Sequence, residues 1–456
     1  MKKLVAFGLV AWACGGDSSS VDGGADAQAG DAAKDAVVEA GPQCGTSGWL
    51  TYGHDAARTF ASDGCIVGPL TPSWTYTPTP KTNAKVNSVY HALASTDGVY
   101  LQWAGSDDPY IGTTAADGIS PTTHMRVWTY DSGSDANMGN WASVSGTNLI
   151  LNDDGIYWMS LTDGTPGVTT GVDWWGQTIA DGAGGAWFVT TSKSDGPGLF
   201  VGEIDATAKV TWSANKQGTA CGDALGDKIG GIALDGGVLF YAPQYSMGGT
   251  VQPTFKSGVY AFDAKTGTQK WKVDTTTPTS TISAGNGLVY LIESGNIVAR
   301  KQTDGTVGWT KPLAGAGAQA PVIAGSIVIA ASSQGISSFD AATGAPGWST
   351  PITGAAAQAY SLTITNGCSG SQNLGAAIAT TMAAAIPSGT LVVTATDGVH
   401  VLSLSTGQDT WSGKITGAKY TVHDPVIVGK TVYVVDSPPG GFAGFGPGQL
   451  IALSAP

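Results

Sequence analysis

A short segment recurs along this chain, and its spacing constrains the fold more than any other feature. It reads FDAKTGTQKW at 262–271, RKQTDGTVGW at 300–309, FDAATGAPGW at 339–348 and SLSTGQDTW at 403–411. A degenerate copy, IDATAKVTW at 204–212, lacks the glycine. Gly267, Gly305, Gly344 and Gly407 each stand four residues before a tryptophan. Trp271, Trp309 and Trp348 are 38 and 39 residues apart, and Trp411 follows 63 residues later. A fixed period near 40 residues marks a repeat architecture, and four short strands per period mark a propeller blade.

Within 319–351, the runs APVIA, SIVIAAS, GISSFDA and GWSTPI are β-rich and separated by Gly or Ser turns. Glycine in the ATG turn reaches positive φ without a Cβ clash. Tryptophan at the head of the fourth strand can lay its ring over the next blade, removing roughly 150–250 Å² from water. Trp212, Trp271, Trp309, Trp348 and Trp411 are therefore expected to dock blades. A ligand role for each repeated Asp and Trp would instead require many equivalent sites.

Blades are expected near 88–141, 142–175, 176–212, 229–272, 281–311, 319–351, 359–415 and 421–453. The first two are poorly patterned, which leaves seven blades as an alternative to eight. Pairing PSWTYTP (72–78) with GQLIALSAP (448–456) would close the ring and leave no open sheet edge. Composition agrees with an all-β, eight-bladed propeller of four-stranded antiparallel blades. Its 67 glycines are about twice the ordinary usage of roughly 7%. A net charge of −13 and the lack of a basic cluster beyond Lys2 and Lys3 exclude nucleic acid as a partner class.

Ahead of the repeats, Lys2 and Lys3 precede an apolar run from Leu4 to Ala13, too short to span a bilayer and suited to a signal peptide. The stretch resembles a bacterial lipoprotein signal, which implies lipidation of Cys14 after cleavage of 1–13. Residues 14–43 then read as a disordered Gly/Ala/Asp-rich tether, and 44–456 as the propeller. Loss of the two lysines moves the charge from −13 to −15. Cys44, Cys65, Cys221 and Cys368 remain, an even number in an oxidising compartment. Cys44 with Cys65, flanking a short loop, is the natural first pair, leaving Cys221 with Cys368.

FDAKTGTQKW resembles the repeat of the pyrroloquinoline-quinone-type propellers, whose blades carry D-x-x-T-G-x-x-x-W. WLTYGHDAARTFAS (49–62) is similar to the lead-in of secreted members of that family, including the outer-membrane assembly lipoprotein, with Phe60 where many relatives carry Gly. The resemblance implies an exported, lipid-anchored, monomeric propeller in the cell envelope, on the outer membrane. Its function would be a non-catalytic scaffold binding a protein or polysaccharide. The rival readings are a quinone- and Ca²⁺-dependent dehydrogenase and a surface-displayed sensor or adhesin. Against the enzyme stand the missing Cys–Cys pair, a shorter chain and only 21 Lys plus Arg to grip a tricarboxylate cofactor.

No catalytic residue, cofactor or metal is expected from the motifs. The five histidines (54, 91, 124, 400 and 423) lack metal-ligand spacing. DSGSDAN (131–137) starts like a calcium loop but has Ala142 where a bidentate Glu belongs. The insertion 365–389 breaks the strand rhythm, and its alanine-rich run 375–385 suits a short helix. A Cys221–Cys368 bond would strap this insertion across one mouth of the propeller, making that mouth the candidate binding face.

Overall fold

In the computed structural model Cys44–Pro456 is one unit. The residues described are 44–79, 86–108, 111–131, 142–152, 156–170, 177–192, 198–215, 228–244, 258–275, 281–315, 317, 319–352, 357–366, 370–379, 382–386, 389–415, 423–437 and 448–456. Cys14, Cys221 and Cys368, and with them the signal, tether and strap expectations, lie outside these residues.

Eight four-stranded antiparallel sheets form the blades. Seven are continuous in sequence, at 86–131, 143–170, 178–215, 228–274, 283–312, 322–351 and 382–413. The eighth joins Val426–Val428, Thr431–Asp436 and Gln449–Ser454 to Thr71–Tyr76. Eight blades, rather than seven, and the expected closure are thus both present. Ser73 Oγ adds a bond to Ala452 O at 3.0 Å. Tyr76 carries the seam onward, donating its hydroxyl to Asp117 Oδ2 of blade 1 at 2.6 Å.

Blade 5 shows why the sequence takes this form. Its strands are Ser283–Gly285, Leu288–Glu293, Asn296–Lys301 and Val307–Pro312. The middle two read LVYLIE and NIVARK, with four consecutive buried residues in each. Such runs do not alternate because both sheet faces pack on neighbouring blades. The outer strand does alternate, and Trp309 is its buried residue. Burying both faces of every blade is what the apolar runs require, and a ring of blades supplies it.

In the alanine-rich run 375–385, the described residues 375–379 and 382–385 are strand, not helix. Gly370–Ala379 pairs with Ala357–Asn366 in a two-stranded sheet of its own, and Met382–Ile386 is the innermost strand of blade 7. Ala383, Ala384 and Ala385 are 0% exposed. Where inner strands crowd together, side chains that end at Cβ fit, and burial overrides helix propensity.

Cys44 and Cys65 form a disulfide that turns the segment between them into a covalent loop. Opening it frees a loop of about 22 residues in the denatured chain, so reduction should destabilise the fold by about 3 kcal/mol. Denaturation midpoints of the Cys44→Ser/Cys65→Ser variant and of the parent would measure this.

The axial plug and candidate functional site

The lead-in WLTYGHDAARTFAS runs round the inside of the propeller, bonding to each blade in order. In blade 1, Trp49 and Ala94 exchange both backbone bonds, at 2.7 and 3.0 Å. In blade 2, Val144 N donates to Leu50 O at 2.7 Å. Arg58 reaches blades 3 and 4 through Nη2 to Thr178 O and Nε to Ile232 O, both at 3.0 Å. Leu234 N then donates to Ala56 O at 2.7 Å, and Ala284 N of blade 5 and Ile323 N of blade 6 to Ala57 O and Thr59 O at 2.8 Å. Phe60 and Ser62 bracket Ala385 of blade 7. Ser62 Oγ and Cys65 N finish on Ile427 O and Gly429 O of blade 8, at 3.1 and 2.8 Å. The segment therefore plugs the ring of inner strands.

A tight, strained backbone makes this path possible. Gly53, His54, Arg58 and Phe60 all take positive φ, at 75°, 75°, 61° and 54°. Phe60 is 0% exposed and packs edge-on against Tyr52, ring centroids 5.2 Å apart. Burial of its ring offsets a conformation that glycine would adopt freely. Asp55 clamps the turn by accepting from Thr59 N at 2.9 Å and from Thr59 Oγ1. Burial pushes the Asp55 carboxyl up, but hydrogen bonds from His54 and Thr59 outweigh it and hold the group below the usual range.

Arg58 is the hub and is 1% exposed. Besides Thr178 O and Ile232 O, its Nη1 donates to Thr51 Oγ1 at 3.0 Å and to Tyr52 O. Its guanidinium lies 5.3 Å from the Tyr52 ring centre. All these acceptors are neutral. Burial pulls the pKa down to about 10, so the group still carries its charge at neutral pH.

Around Tyr52 and Arg58 lie His91 of blade 1 and His423 and Asp424 at the start of blade 8. The Tyr52 and His91 ring centres are 6.0 Å apart. Burial drives His91 down to about 3 and His423 to about 4, so both are neutral over the physiological range. The same burial raises Asp424 to about 7, against a lowering hydrogen bond with Tyr52. His91 Nε2, His423 Nε2 and Asp424 Oδ1 are buried without a hydrogen-bond partner.

The repeat residues sit away from this axis, between blades. Trp212, Trp271, Trp309 and Trp348 donate Nε1 to Ala264 O, Gln302 O, Ala341 O and Leu404 O of the following blade, at 2.8–3.0 Å. Each ring lies on the glycine of that blade's turn, namely Gly267, Gly305, Gly344 and Gly407. Trp411, at the seam, packs on Gly68 instead. The repeated Asp caps its own turn, as Asp340 Oδ1 does for Thr343 N at 2.8 Å. These residues join one blade to the next and cap the turns between strands.

Some members of this set escaped the motif. Trp128 donates to Leu161 O at 2.8 Å with its ring on Gly164, whose TDG turn is visible in the sequence. Trp74 stacks on His124 at 4.9 Å, and His124 at φ 60° takes the glycine place. The plug's Arg58 and its neighbours His91, His423 and Asp424 carried no spacing signal, since they meet only in three dimensions.

A family profile described as outer membrane protein assembly factor BamB matches residues 118–363, more than half of the chain. The chain belongs to this family. No curated protein matches it. Among solved structures, BamB from Moraxella catarrhalis has a TM-score of 0.52 at 13% identity, covering 85% of this chain and 98% of its own. The quinohemoprotein alcohol dehydrogenase ADHIIG from Pseudomonas putida HK5 has a TM-score of 0.64 at 11% identity, covering 90% of this chain and 80% of its own. A europium-containing methanol dehydrogenase reaches 0.59 at 10% identity, covering 90% and 98%. At such identities the structural likenesses bear on the fold alone.

The rival reading of the repeat, a tricarboxylate quinone held with Ca²⁺, calls for metal ligands and free cationic groups at the axis. Among the described residues, no three His, Cys, Asp or Glu side chains are placed to hold a metal ion. The buried axial cation, Arg58, already directs its N–H groups at protein oxygens. The described axis does not fit that cofactor.

Proposed function

We propose that this BamB-family propeller is an exported, lipid-anchored, non-catalytic scaffold that docks a protein of the outer-membrane assembly machinery. The observation that carries the reading is the plug. A propeller that places its own chain on the inner strand of every blade has built a rigid ring, and a rigid ring presents loops rather than an axial reaction chamber. Family membership supports the class of partner, and the resemblance of the first residues to a lipoprotein signal supports an anchor at Cys14. Among the described residues, no helix is long and apolar enough to cross a membrane.

Metabolic labelling with a fatty acid, membrane fractionation and in-cell crosslinking of the full chain would test this. The expected result is label on the parent but not on Cys14→Ala, outer-membrane recovery, and a crosslink to a barrel-assembly protein. The quinoprotein reading makes the opposite prediction in a purified sample. Quinone plus Ca²⁺ at a hundred times its dissociation constant would add about 2.7 kcal/mol of stability, with dye reduction in the presence of an alcohol. That outcome would overturn the scaffold.

A further inference from the structure

We propose that the plug is an acid-labile closure, in which protonation of His91 beside the Arg58 guanidinium, and of His423 beside His91, unseats residues 49–65 while the blades persist. The disulfide makes this geometrically possible, because 44–65 is a closed covalent loop that can lift from the ring without moving either flank. Lifting it exposes inner-strand groups to water but leaves each blade's own ladders and the tryptophan contacts between blades in place.

The charges around the cluster set the direction. From the plug, Arg58 faces His91, and Asp55 acts on Arg58 while held by Thr59 and His54. From blade 8, His423 faces His91, Asp436 acts on His423, and Asp424 bonds to Tyr52. No carboxylate is among the hydrogen-bond acceptors of Arg58. A proton on His91 therefore adds positive charge beside a cation that no carboxylate hydrogen-bonds, and a proton on His423 adds positive charge beside His91.

Seating the plug keeps both histidines neutral, with their pKa values below the ordinary value of 6.5. Their contribution to closure is present above 6.5 and is lost as pH falls towards 4. Asp424 works the other way, since its raised value favours the seated form at low pH. Two groups take up protons on opening and one gives up a proton. The net is one proton, and closure weakens by about tenfold per pH unit between 6.5 and 4.

Hydrogen exchange followed by mass spectrometry on the intact chain, at pH 7, 5.5 and 4.5 and corrected for intrinsic rates, tests this. Amides of Trp49, Ser62, Val144, Leu234, Ala284 and Ile323 should lose about tenfold protection per pH unit. Amides of Asn296–Lys301, in the middle of blade 5, should keep theirs. Asp424→Asn removes the opposing group and should steepen the loss to about a hundredfold per unit. His91→Asn/His423→Asn should reverse the slope, leaving Asp424 to tighten closure in acid. Protection of 49–65 that ignores pH, or that is lost together with the blade amides, would overturn the proposal.

Discussion

Arg58→Ala is expected to lower the unfolding free energy by about 3–5 kcal/mol, among the larger effects available to a single side chain. The substitution removes the donor to Ile232 O, Thr178 O and Tyr52 O inside the ring. Each abandoned carbonyl costs about 1–3 kcal/mol, and water entering the space recovers part of that sum. Arg58→Lys should do little better. An ammonium keeps the charge but cannot aim a planar fork at acceptors on two blades. Denaturant unfolding measures the effect, and an unchanged slope with a shifted midpoint would show that the native state alone was altered. A loss below about 1 kcal/mol, the scale of a single net hydrogen bond, would mean that Arg58 is not the hub.

Trp309→Ala should cost a similar amount, about 3–5 kcal/mol, as for other buried aromatics cut to alanine. The ring is 7% exposed, rests on Gly344 and donates to Ala341 O at 2.9 Å. Trp309→Phe should cost far less, about 1 kcal/mol, because Tyr290 also donates to Ala341 O, at 3.2 Å. The partner position behaves differently. Gly344 has φ 66°, and a Cβ there would meet Trp309 Cδ2 at 2.5 Å. Gly344→Ala should thus cost about 2–4 kcal/mol, part backbone strain and part displaced indole. In the Trp309→Ala background only the strain remains. A double-mutant cycle should return a coupling of about 1–3 kcal/mol, and independence of the two sites would refute the stacking.

What could be read from residue order was whatever is local and repeated. Gly344 to Trp348 is one turn and one strand, so the TG turn, the tryptophan and the blade period all stand in the sequence. The seam was legible too, since PSWTYTP is a strand-like run ahead of the first full blade and GQLIALSAP ends the last blade one strand short. The alanine run 375–385 misled because helix propensity is a property of isolated segments. The fate of Ala383–Ala385 is decided by neighbouring inner strands. The lead-in GHDAARTFAS was visible as a motif, but its role was not. Nothing in the order of residues says that Arg58 will meet Thr178 and Ile232, which lie 120 and 174 positions away.

Those separations bear on how the chain acquires its fold. Ser62 bonds 365 positions downstream, and Ser73 of the closing strand 379. Blades 1 to 7 are local assemblies that can form one after another as the chain emerges. The plug and the closing strand are made first yet must wait for the last strands, so their pairing is the slow, non-local event. Until then the inner strands face an empty ring and the seam edge of blade 8 lies open. A pulse of hydrogen exchange during refolding should find the Asn296–Lys301 amides protected before those of Trp49 and Ser62. The plug would then mark completion, a seal set only on a ring whose eight members are all in place.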